Sequence, residues 1–243
     1  GRTVEVTRGA GVRYRDARFM PDGKTLLVLS DQSDKPNTPG EVEFWTLNAD
    51  GSGGAKKLTS DAEVLRWEGV ASPDGNFIAH HDKHFRLFVL DVKAGVSTKI
   101  DESTVDNIEG LTWSKDSAHL AYAVIAPNTY RQVKVYTVSS KSTAVLTSDR
   151  FDSYAPAWGP DGEWMYFISD RNFETVVGSP WGTLAPEPYF DKRSKLMAVA
   201  LKPGLRSPFD RTDELVTAKE EAKKEETKPE EVKKEEQKPG APA

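Results

Sequence analysis

A turn motif centred on Asp-Gly recurs four times along the chain, and no other feature of the sequence constrains the fold as strongly. Measured from Asp to Asp, successive copies are 52, 42 and 45 residues apart. The copies are Pro21-Asp22-Gly23, Pro73-Asp74-Gly75, Lys115-Asp116-Ser117 and Pro160-Asp161-Gly162. Repeats of about 40–50 residues that are built from strands are typical of β-propellers, so this spacing predicts propeller blades.

Each copy has the chemistry of a tight connection between two strands. Proline fixes φ at the first turn position, aspartate bonds the backbone ahead of it, and glycine accepts the left-handed conformation that follows. In the third copy, Lys115 replaces the proline and Ser117 replaces the glycine. We therefore expect that turn to be looser than the other three.

Strand signals surround every turn. An apolar run follows each copy, a segment of alternating apolar and polar residues comes next, and in the first three repeats a short polar segment ends the repeat. The apolar runs are Leu26 to Leu29, Phe77 to Ala79, Leu120 to Val124 and Trp164 to Ile168. The first three repeats each therefore predict a blade of four antiparallel strands, and the fourth shows three strand signals with no obvious outer strand after Leu201. The predicted equivalent positions on the inner strands are Phe19, Ala71, Trp113 and Trp158.

The chain is predicted to be all-β, with about four propeller blades and a charged linker. The blades span residues 1–216, with repeats near 13–60, 61–101, 105–147 and 151–216. Residues 2–7 are predicted to form an outer strand of another blade, so we expect the blades to be cut from a larger ring. Residues 217–243 are rich in Lys, Glu and Pro, and 15 of the 20 positions from Lys219 to Lys238 are charged. Such a segment favours a disordered linker.

One insertion interrupts the fourth repeat, from Arg171 to Arg193. Long loops inside compact domains are usually functional or packed by their own side chains. Because the insertion carries four aromatic residues, we expect it to be ordered, with Trp181 available to face a partner or substrate. The four are Phe173, Trp181, Tyr189 and Phe190. The remaining tryptophans are predicted to pack in the core and between blades.

Composition excludes several classes of protein. The 243 residues contain no Cys, which excludes a disulfide-bonded scaffold, a thiol enzyme and Cys-ligated zinc, iron–sulfur or haem sites. The formal net charge of -5 argues against a general nucleic-acid binder. No apolar run approaches the roughly 20 residues of a membrane span, and the N-terminal residues have no signal-peptide pattern.

The segment His80 to His84 contains three of the four histidines. It offers His81, Asp82 and His84 as metal ligands, and strand alternation would place His80, Asp82 and His84 on one face. No fourth ligand completes the set, and the segment is typical of a strand end followed by a hairpin. We therefore predict that these histidines serve structure rather than zinc.

The other candidates for chemistry also have structural explanations. Turn geometry accounts for the four repeated aspartates, and Gly51-Ser52-Gly53-Gly54 lies between two strands and opens no helix that would hold a phosphate. No Gly-x-Ser-x-Gly nucleophile elbow exists. The sequence therefore predicts no catalytic, cofactor-binding or metal-binding residue in this chain.

The chain resembles the second propeller of bacterial tricorn-like serine proteases, and its Asp-Gly blades also resemble those of TolB-like proteins. The first resemblance covers nearly the whole chain and is strongest in the final third. The segments that carry it are Phe151-Asp152-Ser153-Tyr154-Ala155-Pro156-Ala157-Trp158, Tyr166-Phe167-Ile168-Ser169-Asp170-Arg171, the insertion, Ala198-Val199-Ala200-Leu201, Leu205-Arg206-Ser207-Pro208-Phe209 and the charged tail after Asp213-Glu214-Leu215.

The resemblance implies a non-catalytic propeller region that channels or filters oligopeptides towards a peptidase domain outside this chain. It implies that the parent protein is a serine peptidase, without a cofactor in this region. The implied partners are a peptide in transit, the remaining propeller, PDZ-like and peptidase domains, and further copies of the parent, but neither nucleic acid nor membrane. The expected compartment is the cytoplasm, with the periplasm or export left open because the true N-terminus is absent.

Two other functions remain open at this point. The chain could be a free-standing TolB-like propeller that acts as a protein-interaction module. It could also be the propeller cap of a prolyl-oligopeptidase-type enzyme. The three hypotheses differ in what should follow Ala243: more propeller and then peptidase domains, little or nothing, or an α/β-hydrolase domain.

Deleting Lys219 to Ala243 is expected to leave the melting temperature nearly unchanged. Beyond Val216 the apolar residues are a few alanines and Val232, too little to offset an ordering cost of about 1–2 kcal/mol per residue. Thermal unfolding of the full and shortened chains tests this. A large loss of stability in the shortened chain would show that the tail is docked.

Overall fold

The computed structural model describes residues 3–7, 11–33, 41–173, 190 and 192–210. These ranges contain 15 strands and no helix, hence none long and apolar enough to cross a membrane. The chain divides into two compact units, Gly1–Gly204 and Leu205–Ala243, and all of these strands belong to the first. In the second unit, the Asp210 N–H donates to the Ser207 carbonyl at 3.2 Å and closes a turn.

The strands form four antiparallel sheets, numbered here as blades 1 to 4 in chain order. Blade 1 contains β1 (Tyr14–Phe19), β2 (Thr25–Ser30), β3 (Glu43–Asn48) and β4 (Lys56–Lys57). Blade 2 contains β5 (Arg66–Ala71), β6 (Phe77–Asp82), β7 (Arg86–Asp91) and β8 (Val96–Glu102). Blade 3 contains β9 (Glu109–Trp113), β10 (His119–Ile125), β11 (Arg131–Thr137) and β12 (Ser142–Val145). Blade 4 contains β13 (Ser153–Trp158), β14 (Trp164–Asp170) and β15 (Ser194–Ala200).

This architecture confirms the all-β fold and the four blades predicted from the repeat. Within each blade, strands that are consecutive in the sequence are neighbours in the sheet. The first strand of each blade ends at the residue predicted to be equivalent, which is Phe19, Ala71, Trp113 or Trp158. Among the described residues blade 4 has three strands, so β15 lies at its edge.

The segment before blade 1 packs on that blade without joining its sheet. Val6 contacts the apolar cluster formed by Val28, Trp45 and Leu47. Residues 3–7 pair with no strand of the described ranges. Their assignment to another blade, like the other domain boundaries, stays a prediction.

The turn between the first and second strands of each blade is closed by its aspartate. One carboxylate oxygen accepts the backbone N–H two residues ahead, at 2.8 Å from Asp22, 3.0 Å from Asp74, 3.1 Å from Asp116 and 2.9 Å from Asp161. The Thr25 hydroxyl first, and then the backbone N–H groups ahead of the aspartate, lower the pKa of Asp22 below the usual range, and the Ser114 hydroxyl and the Ala118 N–H do the same for the pKa of Asp116. The repeated aspartates are therefore turn residues, as the sequence predicts.

The prediction of a looser third turn is wrong. The Ser117 N–H donates to the Ser114 carbonyl at 2.9 Å, as Gly75 does to Ser72 at 2.8 Å. Ser117 adopts a φ of 60°, within the left-handed region that glycine occupies in the other copies. The Ser117 hydroxyl also accepts the Asp74 N–H of the preceding turn at 3.0 Å. This bond between neighbouring turns offsets the strain of placing a side chain there.

Two tryptophans tie consecutive blades together in the same way. The Trp113 indole N–H donates to the Val70 carbonyl of β5 at 2.9 Å, and Trp158 donates to the Thr112 carbonyl of β9 at 3.1 Å. The Trp113 ring also stacks on Phe77, with centroids 6.1 Å apart. The predicted packing of Trp113 and Trp158 between blades is therefore confirmed.

The three junctions between blades differ in how they are filled. Blades 1 and 2 share an apolar cluster that includes Phe44 and Ile78, and blades 2 and 3 share one that includes Leu87 and Tyr122. Between blades 3 and 4 lies a cavity of about 760 Å³, lined in part by Ala144, Leu146, Trp158 and Leu201. The last junction is therefore the least filled.

A buried ion pair adds to the junction of blades 1 and 2. Arg66, the first residue of β5, donates from Nη1 to the Glu43 carboxylate of β3 at 3.2 Å, and both side chains are almost fully buried. Glu43 also accepts from the Thr59 hydroxyl at 2.5 Å and the Ala62 N–H at 2.9 Å. Because both charged side chains have hydrogen-bond partners, the pair holds the two blades together without leaving an unpaired buried charge.

Most of the insertion in blade 4 lies outside the described residues, including Trp181 and Tyr189. At its described ends, the Phe173 ring meets Phe190 edge to face, with centroids 5.8 Å apart, and lies 6.5 Å from Phe151. The prediction that the insertion is ordered concerns residues beyond these, and so does the prediction of a linker over residues 217–243.

Replacing Trp113 by Phe should destabilise the chain by about 1 kcal/mol more than the same change at Trp45. Both rings are buried, but the Trp45 indole N–H has no hydrogen-bond partner, whereas Trp113→Phe removes the indole donor to the Val70 carbonyl. The two variants share the loss of ring volume, so the difference isolates the hydrogen bond. Urea unfolding of both variants measures it, and equal losses would contradict the assignment.

Candidate functional site

The first strands of the blades lie side by side and form one surface, called here the inner rim (β1, β5, β9 and β13). Cα atoms of β1 and β5, of β5 and β9, and of β9 and β13 approach within 8 Å. Each of these strands is at the edge of its sheet. One side of its backbone therefore carries N–H and C=O groups that no other strand of that sheet binds.

A β-bulge interrupts every strand of the inner rim at the same place. The register against the second strand shifts in all four blades. Three residues before the strand end, φ is positive: 52° at Asp16, 45° at Glu68, 66° at Gly110 and 51° at Ala155. Non-glycine residues rarely adopt this conformation, and bulges are over-represented next to functional sites. Because the bulge recurs in all four blades, the inner rim is the candidate functional surface.

The side chains of the inner rim offer aromatic surface and charges of both signs. On β1, Arg15, Asp16 and Arg18 are exposed, whereas Phe19 lies at the position where Trp113 and Trp158 pack against a preceding blade. On β5, Trp67 is 38% exposed, so the prediction that it packs in the core is wrong. The surface can therefore contact apolar, acidic and basic groups of a ligand as well as its backbone.

Glu68 links the rim of blade 1 to that of blade 2. Its carboxylate accepts from Arg18 Nη2 at 2.9 Å and lies 3.7 Å from His81 Nε2. The neighbouring His81 first, and Arg18 second, hold the pKa of Glu68 below its usual range, against the opposing effect of partial burial. Glu68 is therefore an anion whose charge is already paired with the Arg18 guanidinium.

Arg131 links blade 3 to blade 4, as Glu68 links blade 1 to blade 2. Its guanidinium binds Asp152 through two parallel bonds, Nε to Oδ1 at 2.9 Å and Nη2 to Oδ2 at 2.5 Å, and reaches Glu109 at 3.2 Å. It also lies 4.0 Å from the centre of the Tyr154 ring. The bond to Asp152 raises the pKa of Arg131, and the same bond lowers the pKa of Asp152.

The structure does not bring the predicted histidine cluster together. The strand ends at Asp82, so His84 lies in the following turn and is exposed, while His80 and His81 point to opposite faces of β6. Asp82 is occupied by the backbone of His84 and by Arg86, whose Nε donates at 2.7 Å. Within the described ranges, His, Asp and Glu side chains form no group of three or more that could hold a metal ion.

Two histidines lie beside hydroxyl groups. A histidine next to a hydroxyl is the first requirement for activating that hydroxyl as a nucleophile. His80 Nε2 lies 3.2 Å from Ser97 Oγ, and His119 Nδ1 lies 3.1 Å from Thr137 Oγ1. A catalytic histidine also needs a group that orients its other nitrogen. Among the described residues, the second nitrogen of His80 is buried without a partner, and no hydrogen bond to the second nitrogen of His119 is present. Neither pair is therefore arranged for acyl transfer.

The inner rim was only partly predictable from the sequence. Gly110, and to a lesser degree Asp16, are of residue types that suit a positive φ, whereas Glu68 and Ala155 give no such signal. Arg131 belongs to no motif, and its role depends on Asp152 being brought to it from the next blade. The Gly51 to Gly54 segment lies in the connection between β3 and β4, as predicted, away from any helix of the described ranges.

Four consecutive antiparallel blades whose first strands form one rim define this chain as a β-propeller region. Residues 1–238 match the family described as the tricorn protease second beta propeller domain. The chain belongs to this family, which confirms the resemblance stated from its sequence.

Individual relatives support the assignment. The tricorn protease homolog 1 of Streptomyces coelicolor is 31% identical over 168 residues, which are 68% of this chain and 16% of that protein. The tricorn protease of Thermoplasma volcanium is 26% identical over 178 residues, covering 71% and 16%. The crystal structure of the tricorn protease has a TM-score of 0.68 at 19% identity, over 81% of this chain and 18% of that one, and shows the same fold. The chain thus spans less than a fifth of the length of these proteins.

Acidification should destabilise the chain through His80. Burial, and after it the charges of Arg66 and His81, lowers the pKa of His80 well below its usual value. Below about pH 6.5 the unfolded chain binds a proton that the folded chain does not. The free energy of unfolding should therefore fall by up to about 1.4 kcal/mol per pH unit in that range. Above about pH 6.5 this contribution is fully present.

Chemical unfolding between pH 5 and 7.5 tests this dependence. His80→Phe, which places a third ring beside Phe44 and Phe88, should flatten the profile in this range. The matched control is His84→Gln at the exposed turn, which should keep the slope. An unchanged slope in His80→Phe would assign the pH dependence to another group.

Proposed function

We propose that this chain is a non-catalytic propeller region of a tricorn-like serine protease, which channels or filters oligopeptides towards a peptidase domain outside the chain. The observation that carries the proposal is the inner rim, where four successive strands present a bulged, free backbone edge. An extended peptide has complementary N–H and C=O groups and binds such an edge by main-chain hydrogen bonds. Backbone binding suits the passage of peptides of many sequences.

The charges of the rim support passage rather than tight capture. Glu68 on the rim is paired with Arg18, and Glu109 at the start of β9 is paired with Arg131, which also binds Asp152. A charge that already has a close partner gains less from a charged ligand, because binding must first break or share the existing pair. Peptide side chains of either sign are therefore expected to bind weakly and to be released.

The non-catalytic part of the proposal is supported by the two hydroxyl–histidine pairs of the described residues. Neither has the orienting group that a triad needs, and one of them, His80 with Ser97, is held at a fully buried imidazole. Hydrolysis is therefore assigned to another domain of the parent protein. In this proposal the partners are the peptide in transit, the remaining propeller, PDZ-like and peptidase domains, and further copies of the parent, in the cytoplasm.

A photoreactive residue placed at Arg15 on the inner rim should cross-link a labelled oligopeptide of mixed sequence. The same photoreactive residue at Ser142, an exposed position on the outer strand β12, is the matched control and should give only background. Mass spectrometry of the adducts measures the outcome. Equal labelling at both positions, or none at Arg15, would remove the support for a peptide path along the rim.

Within the parent protease, a bulky side chain on the rim should discriminate by substrate length. Ala155→Trp fills an exposed rim position, so kcat/KM should fall several-fold for long peptides and stay unchanged for tripeptides. Ser142→Trp on the outer strand should change neither. An equal loss for both lengths would indicate a general defect instead of a narrowed path.

A further inference from the structure

The cavity of about 760 Å³ between blades 3 and 4 lies at a junction whose counterpart between blades 2 and 3 is filled by side chains. Phe77 and His119 are equivalent, because each lies three residues after the aspartate of its turn. The Phe77 ring stacks on Trp113 with centroids 6.1 Å apart, and the His119 ring lies 6.0 Å from Trp158. Trp113 is buried, whereas Trp158 is only half-buried. Part of the Trp158 ring is therefore accessible from the cavity that it lines.

Blade 4 also lacks a ring that blade 3 contributes to its own junction. Antiparallel pairing aligns Tyr136 with Leu120, the second residue of β10. It aligns Val199 with Met165, the second residue of β14, so Tyr136 and Val199 are equivalent. Tyr136 is buried in the apolar cluster that joins blades 2 and 3. At this position the junction of blades 3 and 4 therefore has no aromatic ring.

The walls of the cavity suit an aromatic molecule. Val135, Leu146 and Leu201 supply apolar side chains, and Trp158 supplies an aromatic ring. Ligand sites are typically concave, mostly apolar and about 300–1,000 Å³ in volume, with a few polar groups that orient the ligand. Ala144 also lines the cavity and is exposed, so a small molecule can enter from the side of β12 without displacing a strand.

Charge and hydrogen bonding narrow the class of ligand. The formal charges of the lining residues cancel, since the acidic and basic ones are Lys115, Asp116, Asp161 and Lys202. His119 Nδ1 lies 3.1 Å from the Thr137 hydroxyl, and among the described residues its Nε2 has no hydrogen-bond partner. That nitrogen is able to bind one hydroxyl or N–H group. A neutral ring with one such group therefore matches the lining.

We propose that this cavity is a binding site for a small neutral aromatic ring that carries one hydroxyl or N–H group, such as a phenol or an indole. The ring packs beside Trp158, as side-chain rings fill the junction of blades 2 and 3. The polar group binds His119 Nε2. A free small molecule and the side chain of a peptide Tyr or Trp both offer this chemistry. The site lies between blades, so the proposal does not depend on peptide passage along the inner rim.

Saturation-transfer NMR with para-cresol and the parent polypeptide tests the site. Ala144→Phe places a ring at the exposed edge of the cavity and should reduce the ligand signal several-fold. Thr98→Phe is the matched control, because Thr98 pairs with Val89 as Ala144 pairs with Val135, and it should leave the signal unchanged. Absence of a signal from the unmodified protein, or an equal signal in both variants, would overturn the proposal.

His119→Phe tests the polar contact. Phenylalanine is the residue that blade 2 has at this position, so the variant is expected to fold. The unmodified protein should bind para-cresol about fivefold more tightly than toluene, as one neutral hydrogen bond provides. His119→Phe should bind the two ligands equally. A preference for para-cresol that persists in His119→Phe would overturn the role of His119.

A competition experiment distinguishes the two sources of the ring. A blocked Ala-Tyr-Ala peptide is added to the unmodified protein with para-cresol already bound. Displacement of para-cresol by the peptide would assign the site to aromatic side chains of peptides. Retention of para-cresol at saturating peptide would assign it to a free small molecule. Binding of the peptide that is equal in the unmodified protein and in Ala144→Phe, without displacement of para-cresol, would place the peptide elsewhere and also favour the free molecule.

Discussion

Face-to-face packing between neighbouring blades is the constraint on which the rest of the structure depends. A single twisted sheet of three or four strands exposes both faces and cannot bury enough apolar surface by itself. Each blade therefore relies on the next, through clusters such as Phe44 with Ile78 and Leu87 with Tyr122. The backbone of β5 also approaches blade 1 closely, because a Cβ on Gly69 would lie 2.6 Å from the Phe44 ring.

The polar bonds between blades follow from that packing. Once two faces are in contact, a polar group at the junction is shielded from water. It must then form a hydrogen bond across the junction or remain unpaired. Trp113 finds the Val70 carbonyl, Arg66 finds Glu43, and the Tyr122 hydroxyl donates to Asp101 at 2.8 Å. Trp45, which packs with Val6 and not at a junction between blades, has its indole N–H buried without a partner. Polar pairing therefore specifies which faces meet, in addition to the apolar contacts.

Short-range sequence signals were sufficient to predict the blades but not the inner rim. Turn residues and alternating strands act over a few positions, so the repeat predicted the four blades and the equivalence of Trp113 with Trp158. The bulges at Glu68 and Ala155 depend on how the first strand fits between its neighbours, and this fit is not encoded in residue type. The error at Ser117 has the same origin. Its left-handed conformation is supported by Asp74 of the preceding blade, a contact separated by 43 positions.

The uneven filling of the three junctions has a consequence for how the chain unfolds. In repeat proteins, stability is approximately a sum of the stabilities of single repeats and of nearest-neighbour interfaces. Blades 1 to 3 share dense clusters and cross-blade bonds, whereas the junction of blades 3 and 4 contains a cavity of about 760 Å³ and few buried apolar residues. Unfolding should therefore begin at blade 4 and proceed blade by blade towards blade 1.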